Sequence, residues 1–375
     1  MEDRYFYNKY VSNNNFNKVR KRKMIKNITG NIDFVENLRG KKATFMLALS
    51  NTHTANIPGI TQAGIPGMLH LTPTLDSEFL CLGEVRSLDN IAETPKGVPT
   101  PALITRAVHL LNPFSSIELL DLGLEISPKI AYTKIHKFDI EPSRRIDDGA
   151  GINAMEIFQK AIQFGQEYKC KNDYIILGES VPSGTTTAKA TAIALGYDVE
   201  DKFSSSFKDV PNDIRNTTIQ KALQRIDQNN DIFNILSSIS DNMLIFNAGF
   251  ILGLNNKIPI VLAGGTQMAC VLLVVNSILR QMDGKIETSN LSLCTTKWVS
   301  QDKNSNIEAL IEMCDFKVNT YFSDFDFSLS EHPALKLYDQ GEAKEGVGAG
   351  GALMYGFLNG LSKEQITSKV EEFLK

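Results

Sequence analysis

The chain has 375 residues, 42% of them hydrophobic and 22% charged, with a formal net charge of −4; this balance supports a large buried core and excludes a disordered or low-complexity protein. Its longer apolar runs, Ile258–Ala263 and Ala269–Val275, stop well short of the roughly 20 residues that cross a bilayer. Five scattered cysteines without a CxxC pair, and five dispersed histidines, exclude a disulfide framework and a zinc site, so a cytoplasmic location and no metal are expected.

Residues 1–43 carry eleven Lys/Arg against four Asp/Glu, a net of +7 against −11 on the remainder. The run Lys18-Val-Arg-Lys-Arg-Lys23 suits an anionic surface, but residues 1–41 are read as a basic, flexible extension with no nucleic-acid partner, ahead of one unit over 42–375. The extension lacks the apolar stretch of a secretory signal. Apolar runs at Thr44–Ala48, Ile117–Leu122, Tyr174–Leu177, Ile260–Ala263, Leu291–Thr295 and near Val318–Phe322 read as strands. Helical patterns fall at Asn153–Tyr168, 214–239, 241–254, Met268–Met282 and Lys363–Leu374. Such alternation predicts an α/β protein, a mostly parallel sheet in a three-layer α/β/α arrangement. The Pro- and Gly-rich segments Ile57–Gly67 and Glu93–Pro101 read as ordered loops. Ile146-Asp-Asp-Gly-Ala-Gly151 reads as a turn, and the preceding Arg144 and Arg145 as either an anion clamp or surface charge.

Three motifs carry chemistry. The run from Tyr174 to Gly196 places a buried strand before a loop, Gly178-Glu-Ser-Val-Pro-Ser-Gly184, and then an Ala-rich helix that opens on Thr185, Thr186 and Thr187. Unpaired amides at a helix start, with its dipole and added hydroxyls, favour an anion such as phosphate; the plainer alternative is that the threonines only cap the helix. Glu179 is awkward beside an anion and is read as a ribose ligand or a structural residue. A second unit repeats the plan, with Gly264 and Gly265 permitting close backbone approach and Thr266 and Gln267 supplying polar groups. Two such loops at the ends of parallel strands point to a nucleotide-like ligand. Neither loop is GxxxxGK[ST] or GxGxxG, which argues against a nucleoside triphosphatase or a nicotinamide-dependent oxidoreductase. The third motif sets four glycines in the six residues after Glu345, including Gly346 and Gly348; this is a wall that can press against a flat ligand and aim the carboxylate into a cleft.

GESVPSGTTTAKATAIALGY, IPIVLAGGTQMA, TTKW and KEGVGAGGA, with NTHTANIPGITQAGIPG, TPKGVPTPALITRA and HPALKLYDQG, resemble segments of the nicotinate-nucleotide:dimethylbenzimidazole phosphoribosyltransferases, most closely their archaeal and cyanobacterial-type branch. The resemblance runs from about residue 42 to the C-terminus. It implies a Rossmann-like α/β/α unit with a smaller domain built from the chain ends, assembled as a homodimer and using no cofactor. The implied reaction moves the phosphoribosyl group of nicotinate mononucleotide to a nitrogen base, giving an α-riboside phosphate and nicotinate for the lower ligand of a cobamide. The resemblance assigns Glu345 as the general base, a role that needs no raised pKa, and Gly178, Glu179, Thr185 and Thr186 to the nucleotide. The alternative is a nucleotide-binding or regulatory module of the same fold without catalysis.

Overall fold

The computed structural model describes residues 24–89, 93–226 and 231–375. Eight strands form one sheet: β1 (Ile25–Thr29), β2 (Ala43–Leu49), β3 (Ser116–Asp121), β4 (Lys134–Lys137), β5 (Tyr174–Ser180), β6 (Ile260–Ala263), β7 (Leu291–Thr296) and β8 (Asn319–Ser323), in the order β1-β8-β7-β6-β5-β2-β3-β4. Every pairing is parallel except β1 with β8. β2 and β5 lie at the centre and are buried at every position, as near-continuous apolar strands covered on both faces should be. Alternate side chains serve opposite faces. Met46, Ala48, Ile175, Leu177, Leu262 and Leu293 enter one core, and Phe45, Leu47, Tyr174, Ile176, Val261 and Cys294 enter the other.

Helices Ala154–Glu167, Gly184–Ala194, Ile232–Ile239, Asn242–Leu254, Thr266–Gln281 and Ile307–Glu312 cover the first face. Thr72–Leu82, Ala102–Leu111, Ala349–Leu358 and Lys363–Glu372 cover the second. The expected three-layer α/β/α architecture is therefore present, and the contribution of the chain ends is a helical layer that shares the second core. No helix among the described residues is long and apolar enough to cross a membrane.

Several boundaries differ from expectation. The extension expected over 1–41 gives way to regular structure by Ile25, where β1 pairs antiparallel with β8 and is followed by a short helix, Asp33–Glu36. The strand sequence IKNIT was hidden by its polar neighbours; Ile25 is buried, and the Asp324 amide donates to the Met24 carbonyl at 2.7 Å. The basic run Lys18–Lys23 lies outside the described residues. The helix expected over 214–239 is two helices, Asn212–Leu223 and Ile232–Ile239, because Asp231 starts the second by accepting from the amides of Phe233 at 2.8 Å and Asn234 at 3.2 Å. Strand β5 runs on through Gly178-Glu179-Ser180, which pair with Leu47–Leu49. The turn expected at 146–151 is a short 3-10 turn over Ile146–Asp148, and Arg145 there pairs with Asp147 at 2.6 Å.

Candidate functional site

Open α/β sheets bind ligands at the carboxyl ends of their strands, and here three helices begin at that edge. Gly184–Ala194 follows β5, Thr266–Gln281 follows β6, and Ala349–Leu358 packs across β6, β7 and β8. A cavity opens among these helix starts, walled also by the loops at 61–64, 93–101, 204–206 and 343–347.

Among the residues singled out by sequence, Glu179, Gly184, Thr185, Gly265, Thr266, Gln267, Glu345 and Gly346 line this cavity. Gly178, Thr186, Thr187, Gly264 and Gly348 do not line it. Thr187 donates to the buried Asp241 carboxylate and to the Gly184 carbonyl, so its hydroxyl caps and crosslinks rather than facing a ligand. Gly178 and Gly348 pack against each other: a Cβ built on Gly178 would lie 3.0 Å from Gly348 Cα. At Gly184 a Cβ would meet Gln267 Oε1 at 1.9 Å, so the glycine admits the amide of the neighbouring loop. Thr266 is buried and accepts from the Ser204 amide at 3.2 Å, pinning another wall segment. Arg144 and Arg145 are not among the lining residues.

Glu345 sits where these elements meet. Its Oε2 accepts from the Thr296 amide at 2.9 Å and the Thr295 hydroxyl at 3.3 Å. Its Oε1 accepts from the amides of Gly346 at 3.2 Å and Gly350 at 3.1 Å. Desolvation pushes the carboxyl up to about 7 even though all four donors pull it down. The ordinary acidity expected of this base is thus corrected: burial among protein atoms outweighs the hydrogen bonds. Glu179, 3% exposed, is pushed up to about 8 by desolvation first and then by the charges of Glu345, Asp241 and Asp76. Both carboxyls are thus held above the ordinary carboxylate range, and their mutual repulsion favours a state in which the pair keeps a proton. A proton kept in the pair eases the objection to a carboxyl beside an anion. Gln267 Nε2 faces Glu179 Oε1 at 3.4 Å.

Sequence reading missed Asp76, a further carboxyl in the cavity wall and itself buried. It accepts from the hydroxyls of Thr100 and Ser180, each at 2.6 Å, and burial raises it to about 6. An isolated Asp within TPTLDSEF carries no local signal, because only the fold brings helix Thr72–Leu82 to the end of β5. Lys344 was also missed as a buried residue, as was its neighbour Glu342. Glu342 accepts from Lys96 Nζ and Gln62 Nε2, each at 2.5 Å, and ties two wall loops to the segment bearing Glu345. Ser183, 4% exposed, starts the first helix in the left-handed region with φ 63°, and its Oγ has no hydrogen-bond partner among the described residues. That hydroxyl and the helix start line one corner of the cavity, and unpaired amides with the helix dipole favour negative charge at such a place.

No protein-family model matches the chain. It is 36% identical over 335 residues to a UPF0284 protein of Saccharolobus solfataricus, covering 88% of this chain and 92% of that one. It is 35% identical over 355 residues to a UPF0284 protein of Saccharolobus islandicus, covering 93% and 96%. A UPF0284 protein of Sulfurisphaera tokodaii is 34% identical over 351 residues, again covering 93% and 96%. Among solved structures, the nicotinate-nucleotide-dimethylbenzimidazole phosphoribosyltransferase of Thermus thermophilus superposes with a TM-score of 0.56 at 15% identity, covering 89% of this chain and 83% of that one. A structure described as CobT from the same organism gives 0.54 at 13% identity, covering 88% and 84%. The fold of the chain is thus that of these transferases.

Proposed function

The chain belongs to the UPF0284 family, and from that premise we propose that it is a phosphoribosyltransferase, moving the ribose phosphate of nicotinate mononucleotide onto a benzimidazole-type or purine base. The observation that carries the reading is the position of Glu345: a carboxylate seated at the strand ends, lining the cavity between the helix starts, with its pKa raised to about 7. A general base serves best when its pKa lies near the working pH.

One ring nitrogen of the acceptor attacks the anomeric carbon with its lone pair. The bond from that carbon to the pyridinium nitrogen breaks, and its electrons return to the nicotinate ring. The proton on the acceptor's second ring nitrogen passes to Glu345. Attack opposite the leaving ring turns the β-riboside into an α-riboside, supplying the lower ligand of a cobamide. The start of helix Gly184–Ala194, with Ser183 and Thr185, is assigned to the phosphate. Glu179, protonated near neutrality, is assigned as a hydrogen-bond donor to the ribose. In this reading the protein works as a homodimer in the cytoplasm.

The test is to incubate the protein with nicotinate mononucleotide and a panel of benzimidazole, purine and phenolic acceptors, following nicotinate release and the new riboside. Glu345→Gln should lower kcat by about 10² to 10⁴. Turnover undiminished in that variant refutes the base assignment. Tight mononucleotide binding without turnover on any acceptor instead favours a binding module.

A further inference from the structure

We propose that the buried ion pair between Lys344 and Asp302 is a positioning device for Glu345, an inference that rests on the transferase reading above. Lys344 Nζ lies 2.8 Å from Asp302 Oδ2, with the two side chains 3% and 4% exposed. The ammonium also donates to the carbonyls of Ser205 at 3.1 Å and Phe207 at 2.9 Å. All three of its protons are therefore committed, so the cation lines the cavity but has no proton left for a phosphate. Asp302 is equally occupied, accepting from Ser204 Oγ at 2.7 Å and the Asn304 amide at 3.0 Å.

A buried pair repays its desolvation poorly and is weak as a source of stability. What it does here is geometric. Three of the four donors to Glu345 are backbone amides, so the aim of the carboxylate follows from how segment 343–350 lies over the end of β7. That segment is strained: Ala343 and the β-branched Val347 have φ of 47° and 51°, a conformation that persists only where neighbours enforce it. Val347 is held by its amide to the Glu179 carbonyl and by Thr105 Oγ1, each at 2.8 Å. Lys344 holds the other side. Its side chain anchors to Asp302 and the 205–207 loop, while its carbonyl accepts from Thr296 Oγ1 at 2.6 Å. Thr296 is the same residue whose amide binds Glu345 Oε2, so one threonine couples the clamped backbone to the carboxylate.

The test compares Lys344→Met/Asp302→Leu, which replaces the pair with apolar groups and strands no charge, and Lys344→Arg, which keeps the charge but cannot place three protons on the same acceptors. Both are assayed with nicotinate mononucleotide and the best acceptor, and hydrogen exchange is followed in the peptide over 341–352. The double variant should lose about 100-fold in kcat with the donor KM within about threefold, the signature of a displaced catalytic group. Lys344→Arg should lose less at an unchanged melting temperature. Exchange should quicken in 341–352 and stay unchanged in β2 and β3. If the double variant does not fold, Lys344→Arg and its exchange pattern decide alone. Wild-type kcat together with wild-type exchange overturns the inference. A wild-type protein without any transferase activity sinks the functional reading instead, while quickened exchange confined to 341–352 still supports the clamp.

Discussion

Glu345 carries two hydrogen bonds on each oxygen, which fills the roughly four acceptor sites of a carboxylate. To take a proton from a ligand it must release one donor, and the longest bond, at 3.3 Å from the Thr295 hydroxyl, is the one to yield. The pH dependence follows from the two neighbouring carboxyls. Glu345 must be ionised, so kcat/KM should rise with pH through about 7. In the proposed mechanism Glu179 donates to the ribose as a protonated group, so the rate should fall again through about 8. Thr295→Val removes a donor that lowers the Glu345 pKa, and the ascending limb should move to higher pH. A pH–rate profile of both proteins checks this, and an ascending limb near the ordinary carboxylate range would contradict it. At this scale the glycine-flanked residues were legible in the sequence, because Gly beside Glu or Thr marks close backbone approach. Asp76 and Lys344 were not, since their roles depend on loops distant in sequence.

Helix Ala349–Leu358 presses its first turn onto the sheet. A Cβ on Gly350 would stand 2.4 Å from the Thr295 carbonyl carbon and 2.8 Å from Glu345 Oε2, and one on Gly351 would stand 2.5 Å from Ala263 Cβ. Replacing Gly by Ala inside a helix ordinarily stabilises by about 1 kcal/mol. Here the sign reverses, because the methyl group meets the backbone of β7. Gly350→Ala should destabilise by about 1–3 kcal/mol, as overpacking does, and should lower activity by pushing the helix and the Glu345 seat apart. A thermal melt with parallel initial rates tests this; a raised melting temperature would show that the contact is not tight. The sequence marked this stretch as a ligand wall, yet its glycines also serve the packing of helix on strand. Periodicity did not reveal the helix, which is apolar on all sides, because a buried helix lacks the polar face that gives a pattern.

Over the whole chain, the central strands could be read from short apolar runs and the larger first-face helices from longer helical patterns. The edges could not. β4 has only four residues, Lys134–Lys137, and β1 lies within a stretch whose charge resembles an extension. That misreading has a practical side. β8 is an interior strand rather than an edge only because β1 lies along it. A chain trimmed at residue 42, where sequence resemblance begins, would lose β1 and the helix at 33–36 and leave a row of unpaired amides and carbonyls along β8. Open strands of this kind recruit other chains. The edge that β1 presents instead is broken by the register shift between Asn27 and Thr29, a feature that blunts edge pairing. Light scattering should therefore find the trimmed protein self-associating as its concentration rises, with the full chain less so, if residues that look like a dispensable leader guard the sheet against aggregation.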